Sequence, residues 1–150
     1  MKVGIAGFGT IGTKVARALD AGIPGLELCA VTTRNAARAD AVLAAFKQPV
    51  PVVSIDKLAA MADVIVECAP RAAFAQLAAP VIDAGKLLVT VSGAALLEHP
   101  ELIERARARG GRIILATGAL LGLDAVRAAA EGTIRSVTMI TRKPPRSLAD

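Results

Sequence analysis

A cluster of glycines near the start of the chain constrains the fold more than any other sequence feature. Lys2–Ala6 has the pattern of a short apolar strand, Gly7, Gly9 and Gly12 follow at once, and a helix is predicted over 10–21. A G-x-G-x-x-G turn needs this strand and helix around it to bind phosphate. The first glycine permits a tight turn, the second lets the backbone approach a pyrophosphate, and the third lets helix and strand pack. The motif predicts binding of NAD or NADP, with contacts expected from Gly7, Phe8, Gly9, Thr10, Ile11 and Gly12.

Strand and helix patterns alternate along the rest of the chain. Strands are predicted over 26–32, 50–53, 63–68, 87–91, 112–116 and 133–141, and helices over 36–46, 56–61, 71–84, 100–109 and 123–130. Pro80 is expected to kink or split the helix at 71–84. This alternation predicts an α/β fold with a doubly wound parallel sheet of the Rossmann type. We expect this domain to span 1–132, and 133–150 to form a strand and tail leading toward a second domain that the chain lacks.

The composition suits a buried sheet and argues against several classes of protein. Hydrophobic residues make up 54% and aromatic residues 2% of the chain, as expected for parallel strands covered by alanine-rich helices. No segment approaches the roughly 18 uninterrupted apolar residues of a membrane span. The net charge of +5 does not indicate nucleic-acid binding, because the basic residues are dispersed and Tyr and Trp are absent. Cys29 and Cys68 are expected to be reduced thiols in a cytoplasmic protein without a metal site.

The end of the second predicted strand bears on the choice of cofactor. NAD-selective domains usually place an acidic residue there to bind the adenosine ribose. This chain has Thr32-Thr33-Arg34-Asn35 instead. Arg34 could pair with a 2′-phosphate or lie on the adenine, and Thr33 could add a hydroxyl contact. The segment therefore favours NADP, or the use of both cofactors.

Small residues follow three of the later predicted strands, in the turns 68–70, 92–94 and 117–119. The carboxyl ends of parallel strands meet at one edge of a sheet, where open α/β folds bind their ligands. Small side chains at that edge leave room for a nicotinamide ring. Further cofactor contacts are therefore expected from Cys68, Ala69, Pro70, Ser92, Gly93, Ala94, Gly118 and Ala119.

Four segments of the chain together resemble one family. They are the turn 7–12, DVIVECAP at 63–70, ATGALLGLDA at 116–125 and SVTMITRKPP at 136–145, and they resemble L-aspartate dehydrogenases. The resemblance extends over essentially the whole chain and implies reversible, NAD(P)-dependent deamination of L-aspartate to iminoaspartate. The imine hydrolyses to oxaloacetate and ammonia, and in some organisms it feeds NAD synthesis. The resemblance also implies that Ala119 lies near the nicotinamide, and that a second domain supplies the catalytic histidine and most substrate contacts.

No catalytic residue is predicted within this chain. The only histidine, His99, precedes a predicted helix and is expected to lie at the surface or cap that helix. Structural roles are expected for Glu67 and Asp124, with Glu67 bonding to backbone or shaping the site. Cys68 lacks the electropositive setting that a nucleophilic cysteine needs. The chain is therefore expected to bind the dinucleotide with little or no turnover. A reductase resembling homoserine dehydrogenase and a non-catalytic NAD(P)H sensor are the alternatives.

Self-association is expected from the last predicted strand, 133–141. Without a second domain this strand would present an unpaired edge with apolar Ile134, Val137 and Ile140. Unpaired edges of this kind tend to pair with another chain. The sequence therefore predicts a homo-oligomer.

Overall fold

The strands of residues 1–116 form one parallel sheet. In the computed structural model, which describes residues 1–116, 122–140 and 142, these strands are β1 (Lys2–Ala6), β2 (Glu27–Thr32), β3 (Val64–Glu67), β4 (Leu87–Thr90) and β5 (Arg112–Leu115). They lie side by side in the order β2-β1-β3-β4-β5, and each neighbouring pair is parallel. The parallel α/β sheet predicted from the alternating pattern is confirmed.

Short helices connect the strands. They are α1 (Thr10–Gly22), α2 (Ala36–Leu43), α3 (Ile55–Met61), α4 (Phe74–Asp83), α5 (Gly93–Glu98) and α6 (Glu101–Ala108), with a 3₁₀ turn at Arg71–Ala73 before α4. The helix predicted over 71–84 is divided at the junction of the 3₁₀ turn with α4, whereas Pro80 lies inside α4. None of the described helices combines the length and hydrophobicity needed to cross a membrane.

A single bridge extends the sheet beyond β2. The Val31 amide donates to the Pro51 carbonyl oxygen at 3.0 Å, and the Val53 amide donates to the Val31 oxygen at 2.9 Å. The strand predicted over 50–53 is thus reduced to this bridge, because Pro51 has no N–H with which to continue the ladder. When Val52 is counted as a strand and the six strands are numbered afresh along the chain, their order in the sheet becomes 3-2-1-4-5-6. This is the strand order of dinucleotide-binding Rossmann domains.

Helices cover both faces of the sheet. Successive residues of a strand point to opposite faces, so that Ile5 and Ala6 of β1 belong to two different hydrophobic clusters. The cluster with α1 and α2 comprises Val3, Ile5, Phe8, Ala16, Leu19, Val31, Ala39 and Leu43. The cluster on the other face includes Leu58 of α3, Phe74 and Ile82 of α4, and Leu102 of α6, packed with Ala6, Ile65 and Leu88. This two-sided packing is what a doubly wound sheet requires.

Residues 117–150 form a separate unit. Its described part contains α7 (Leu123–Ala129), which follows Gly122 at a φ of 79°. The strand predicted over 133–141 is wrong for 133–140, where the backbone forms no strand and every residue is exposed. A strand needs a hydrogen-bonded neighbour, and none of the described residues pairs with this segment. The prediction of self-association was based on an unpaired strand edge in this segment, and the described residues 133–140 form no such edge. Thr141 lies outside the described residues.

Candidate functional site

The three glycines of the turn between β1 and α1 meet different surroundings. Gly7 has a φ of 100°, and a Cβ there would lie 2.7 Å from the Ala69 amide nitrogen. A Cβ at Gly12 would lie 2.0 Å from the carbonyl oxygen of Gly7. A Cβ at Gly9 would have no heavy atom within 4 Å. The fold thus requires glycine at positions 7 and 12, whereas the space next to the Gly9 α-carbon is empty.

The first turn of α1 is suited to an anion. Gly9 occupies the position before the helix and supplies no side-chain cap, and the first turn contains no acidic residue. The first N–H groups of a helix have no partner within it, and the helix dipole adds partial positive charge at this end. A phosphate group placed here would satisfy these donors.

A cleft of about 560 Å³ opens beside this turn. Its wall is built from the glycine turn, the end of β2, the start of α2, the turn after β3, the 3₁₀ turn and the start of α4. The lining residues are Gly7, Phe8, Gly9, Thr10, Ile11, Thr32, Thr33, Arg34, Asn35, Arg38, Cys68, Ala69, Pro70, Ala73, Gln76 and Leu77. The fold therefore brings three distant segments of the sequence to the carboxyl edge of the sheet.

Most of the residues predicted to contact a cofactor line this cleft. Gly12 lies beneath it, against Gly7. Residues 92–94 are not part of its wall. They follow β4, and instead of the simple turn that the sequence predicts they contain the start of helix α5. Gly118 and Ala119 lie outside the described residues. Cofactor contacts by all of these residues stay predictions.

The cleft is basic at the end formed by β2 and α2. Arg34 and Arg38 are exposed there, and neither forms a salt bridge within the part of the chain that the structure describes. Asn35 caps α2, since its Oδ1 accepts from the Arg38 amide at 3.0 Å. Sequence reasoning missed Arg38. An asparagine just before a predicted helix would have placed Arg38 in its first turn, close to Arg34.

Glu67 is fully buried at the end of β3, beside the cleft. Its Oε1 accepts from the Ala69 amide at 2.7 Å, and its Oε2 accepts from the Thr90 hydroxyl at 2.6 Å. The Thr90 oxygen in turn accepts from the Ser92 amide at 2.9 Å. The expectation that Glu67 bonds to backbone is confirmed.

The thiol next to Glu67 is poorly suited to act as a nucleophile. Burial, and secondarily the negative charge of Glu67, raise the pKa of Cys68 to about 11. The reactive form of cysteine is the thiolate, which is scarce at neutral pH when the pKa is this high. Burial also raises the pKa of Cys29, and both cysteines are free thiols.

His99 lies away from the cleft, at the end of α5. Its Nδ1 is 3.1 Å from a carboxylate oxygen of Glu101, and its ring stacks on Phe74 with the centroids 6.3 Å apart. Asp124 lies in the first turn of α7, where an acidic side chain interacts favourably with the helix dipole. His99 does not belong to the cleft wall, and the local settings of both residues agree with the structural roles expected for them.

Comparison with known proteins agrees with this geometry. A family model described as homoserine dehydrogenase, NAD binding domain, matches residues 7–116. An L-aspartate dehydrogenase of Bradyrhizobium diazoefficiens is 51% identical over 96% of this chain and 51% of its own length. L-aspartate dehydrogenase 3 of Bordetella bronchiseptica is 48% identical over 95% of this chain and 53% of its own length. The chain thus spans about half the length of these relatives.

A solved structure shows the same fold at low sequence identity. The UDP-N-acetylglucosamine 3-dehydrogenase of Acidithiobacillus ferrooxidans superposes with a TM-score of 0.68 at 24% identity, covering 88% of this chain and 44% of that one. The resemblance to L-aspartate dehydrogenases is confirmed by the two relatives. The chain belongs to the family of homoserine dehydrogenase NAD-binding domains.

Proposed function

We propose that this chain is the NAD(P)-binding part of an L-aspartate dehydrogenase. The reaction is the reversible oxidation of L-aspartate to iminoaspartate, which hydrolyses to oxaloacetate and ammonia. Bound in the cleft, the nicotinamide would accept a hydride from the α-carbon of the substrate. The relatives named L-aspartate dehydrogenase support the assignment of the substrate.

The observation that carries the proposal is the composition of the cleft wall. Since β1 lies between β2 and β3 in the sheet, the glycine turn after β1 has the arginines of 34–38 on one side and the small residues of 68–70 on the other. A dinucleotide needs this sequence of surfaces: donors for its pyrophosphate, a polar or basic site for its adenosine ribose, and small residues toward its nicotinamide.

The basic end favours NADP over NAD. Arg34, Arg38 and Thr33 all line this end of the cleft. Guanidinium groups bind phosphate through paired, charge-assisted hydrogen bonds, and only NADP carries a phosphate on its adenosine ribose. The end of β2 contains no carboxylate to select the ribose hydroxyls of NAD.

Equilibrium titration of NADPH and NADH tests this assignment. The chain contains no Trp or Tyr, so the fluorescence of the reduced cofactor can be followed against little protein emission. In the double variant Arg34→Ala, Arg38→Ala we expect the Kd for NADPH to rise about 100-fold, as for the loss of two charge-assisted bonds. The Kd for NADH should change much less. Arg17→Ala, exposed on α1 and outside the cleft, is the matched control and should bind as the wild type does.

Two outcomes would contradict the proposal at different levels. Tighter binding of NADH than of NADPH by the wild type would overturn the preference for NADP alone. Binding of neither cofactor would overturn the assignment as a dinucleotide-binding chain.

A second candidate function has the family model in its favour, because that model is described as a homoserine dehydrogenase domain. A longer protein that contains this chain would distinguish the two candidates. We expect it to consume NADPH with oxaloacetate and ammonia. Oxidation of homoserine without activity on oxaloacetate would favour the second candidate.

A further inference from the structure

Glu67 connects two strand ends that no other described side chain joins in this way. In the sheet register Glu67 stands between Ala6 of β1 and Thr90 of β4. Both neighbours are fully buried, and the small Ala6 side chain leaves room for the carboxylate. Each carboxylate oxygen receives one donor, the Ala69 amide on one and the Thr90 hydroxyl on the other.

These bonds satisfy the backbone where the sheet ladder stops. β3 ends at Glu67 and β4 at Thr90, so the amides of Ala69 and Ser92 lie beyond the last residues of their strands. The Glu67 carboxylate accepts from the first amide, and the Thr90 oxygen accepts from the second. An apolar pair at these positions would leave both partly buried amides without these acceptors, which is unfavourable.

The Ala69 amide is also the point at which this network meets the cleft. Ala69 belongs to the cleft wall, and its nitrogen is the atom nearest to a Cβ built on Gly7, at 2.7 Å. The glycine turn and the 68–70 turn are therefore in close backbone contact. A shift of Ala69 would change the width of the cleft where the two turns meet.

We propose that Glu67, with Thr90 as its partner, is a positioning residue that holds the 68–70 turn against the glycine turn in the geometry that binds the dinucleotide. This inference rests on the proposed function. It gives the buried carboxylate a role in cofactor affinity that is separate from its role in stability.

A second carboxylate in the chain can serve as a control for Glu67, because it lies at the other end of the same strand. Asp63 precedes β3, and its Oδ2 accepts from the Lys2 amide at 2.7 Å. Asp63→Asn and Glu67→Gln therefore each alter a carboxylate–amide bond, at the amino and carboxyl ends of one strand, with Asp63 exposed and Glu67 buried. Only the second change adjoins the cleft.

The experiment measures the Kd for NADPH and the unfolding temperature of each variant of the full 150-residue chain. In Glu67→Gln, one carboxylate oxygen becomes an NH₂ group that cannot accept a bond from Thr90 or Ala69. We expect the Kd to rise about tenfold, as for one lost hydrogen bond to a charged acceptor. Asp63→Asn should leave the Kd unchanged even if it lowers the unfolding temperature.

Thr90 gives a second pair of variants in case Glu67→Gln does not fold. Thr90→Val removes the hydroxyl at nearly constant shape and should weaken binding, whereas Thr90→Ser keeps the hydroxyl and should bind as the wild type does. The inference is overturned if the Thr90 pair binds alike, or if Glu67→Gln binds as tightly as Asp63→Asn. If the wild type binds neither NADPH nor NADH, the proposed function itself fails, which is a different result.

Discussion

At the scale of single residues, the three glycines of the β1–α1 turn have separable roles. Gly12 packs its α-carbon against the Gly7 carbonyl, and Gly7 itself requires a positive φ. Gly9 has a φ of −89° and a ψ of −154°, which other residues can adopt. The fold therefore does not require the absence of a Cβ at Gly9, and we propose that the ligand does.

Alanine substitutions should separate these two roles. Gly12→Ala is expected to lower the free energy of unfolding by roughly 3 kcal/mol, because its Cβ overlaps backbone. Gly9→Ala should change that free energy by less than about 1 kcal/mol and yet abolish NADPH binding, since the methyl group occupies the place of the pyrophosphate. Chemical denaturation and fluorescence titration measure the two quantities. Undiminished NADPH binding by Gly9→Ala would show that the pyrophosphate lies elsewhere.

Cys68 provides a pH-dependent probe beside the cleft. With its pKa raised from 9.0 to about 11, its thiolate fraction at pH 8 should be about 100-fold below that of an ordinary thiol. Alkylation by iodoacetamide, followed in a Cys29→Ser background, should therefore be slow and should accelerate as the pH rises toward 11. Glu67→Gln removes a neighbouring negative charge, so the pKa should fall and the reaction at pH 8 should become faster.

The same Cys29→Ser protein unfolded in urea serves as the reference, since its thiol is then solvated. Equal rates for the folded and unfolded forms at pH 8 would show that neither burial nor Glu67 acts on this thiol.

At the scale of secondary structure, the sequence predicts best where one pattern dominates. β1, β3 and β4 are short runs of apolar residues bounded by glycine, proline or polar residues, and such runs predict buried parallel strands. Helix α5 was missed because it has only six residues and starts with a glycine after Ser92. The segment 133–140 has β-branched residues in a strand-like pattern, but β propensity depends on a neighbouring strand. The sequence of the segment alone does not show whether such a neighbouring strand exists.

Some parts of the candidate site could be predicted from the sequence and others could not. The glycine turn and the ends of β2 and β3 could be predicted, because the carboxyl ends of parallel strands share one edge of the sheet. Gln76 and Leu77 could not, since they line the cleft from α4. Which face of a helix meets a cleft depends on how the helix packs. The bond between Glu67 and Thr90 depends on strand register, which the order of strands alone does not specify.

At the scale of the whole molecule, the chain corresponds to about half of each relative that it matches. Its described residues form the cleft that we propose for the cofactor, and His99 does not line that cleft. We therefore expect the purified 150-residue chain to bind NADPH but to show little or no reduction of NADP with L-aspartate. Absorbance at the wavelength of the reduced cofactor measures this directly. Sustained aspartate-dependent reduction by the chain alone would contradict the expectation.

The single bridge at Val52 makes the two sides of the sheet unequal as surfaces for polymerisation. Strand pairing between molecules needs a row of free backbone groups, and a very short edge strand offers too few to template it. On the β2 side of the sheet, the outermost strand consists of the single residue Val52. At the other side β5 is four residues long, with Ile114 and Leu115 about two-fifths exposed. Among the described strands, β5 is therefore the edge at which strand pairing between two molecules is expected, and pairing of two β5 edges would end at a dimer because Val52 offers too few backbone groups for further addition.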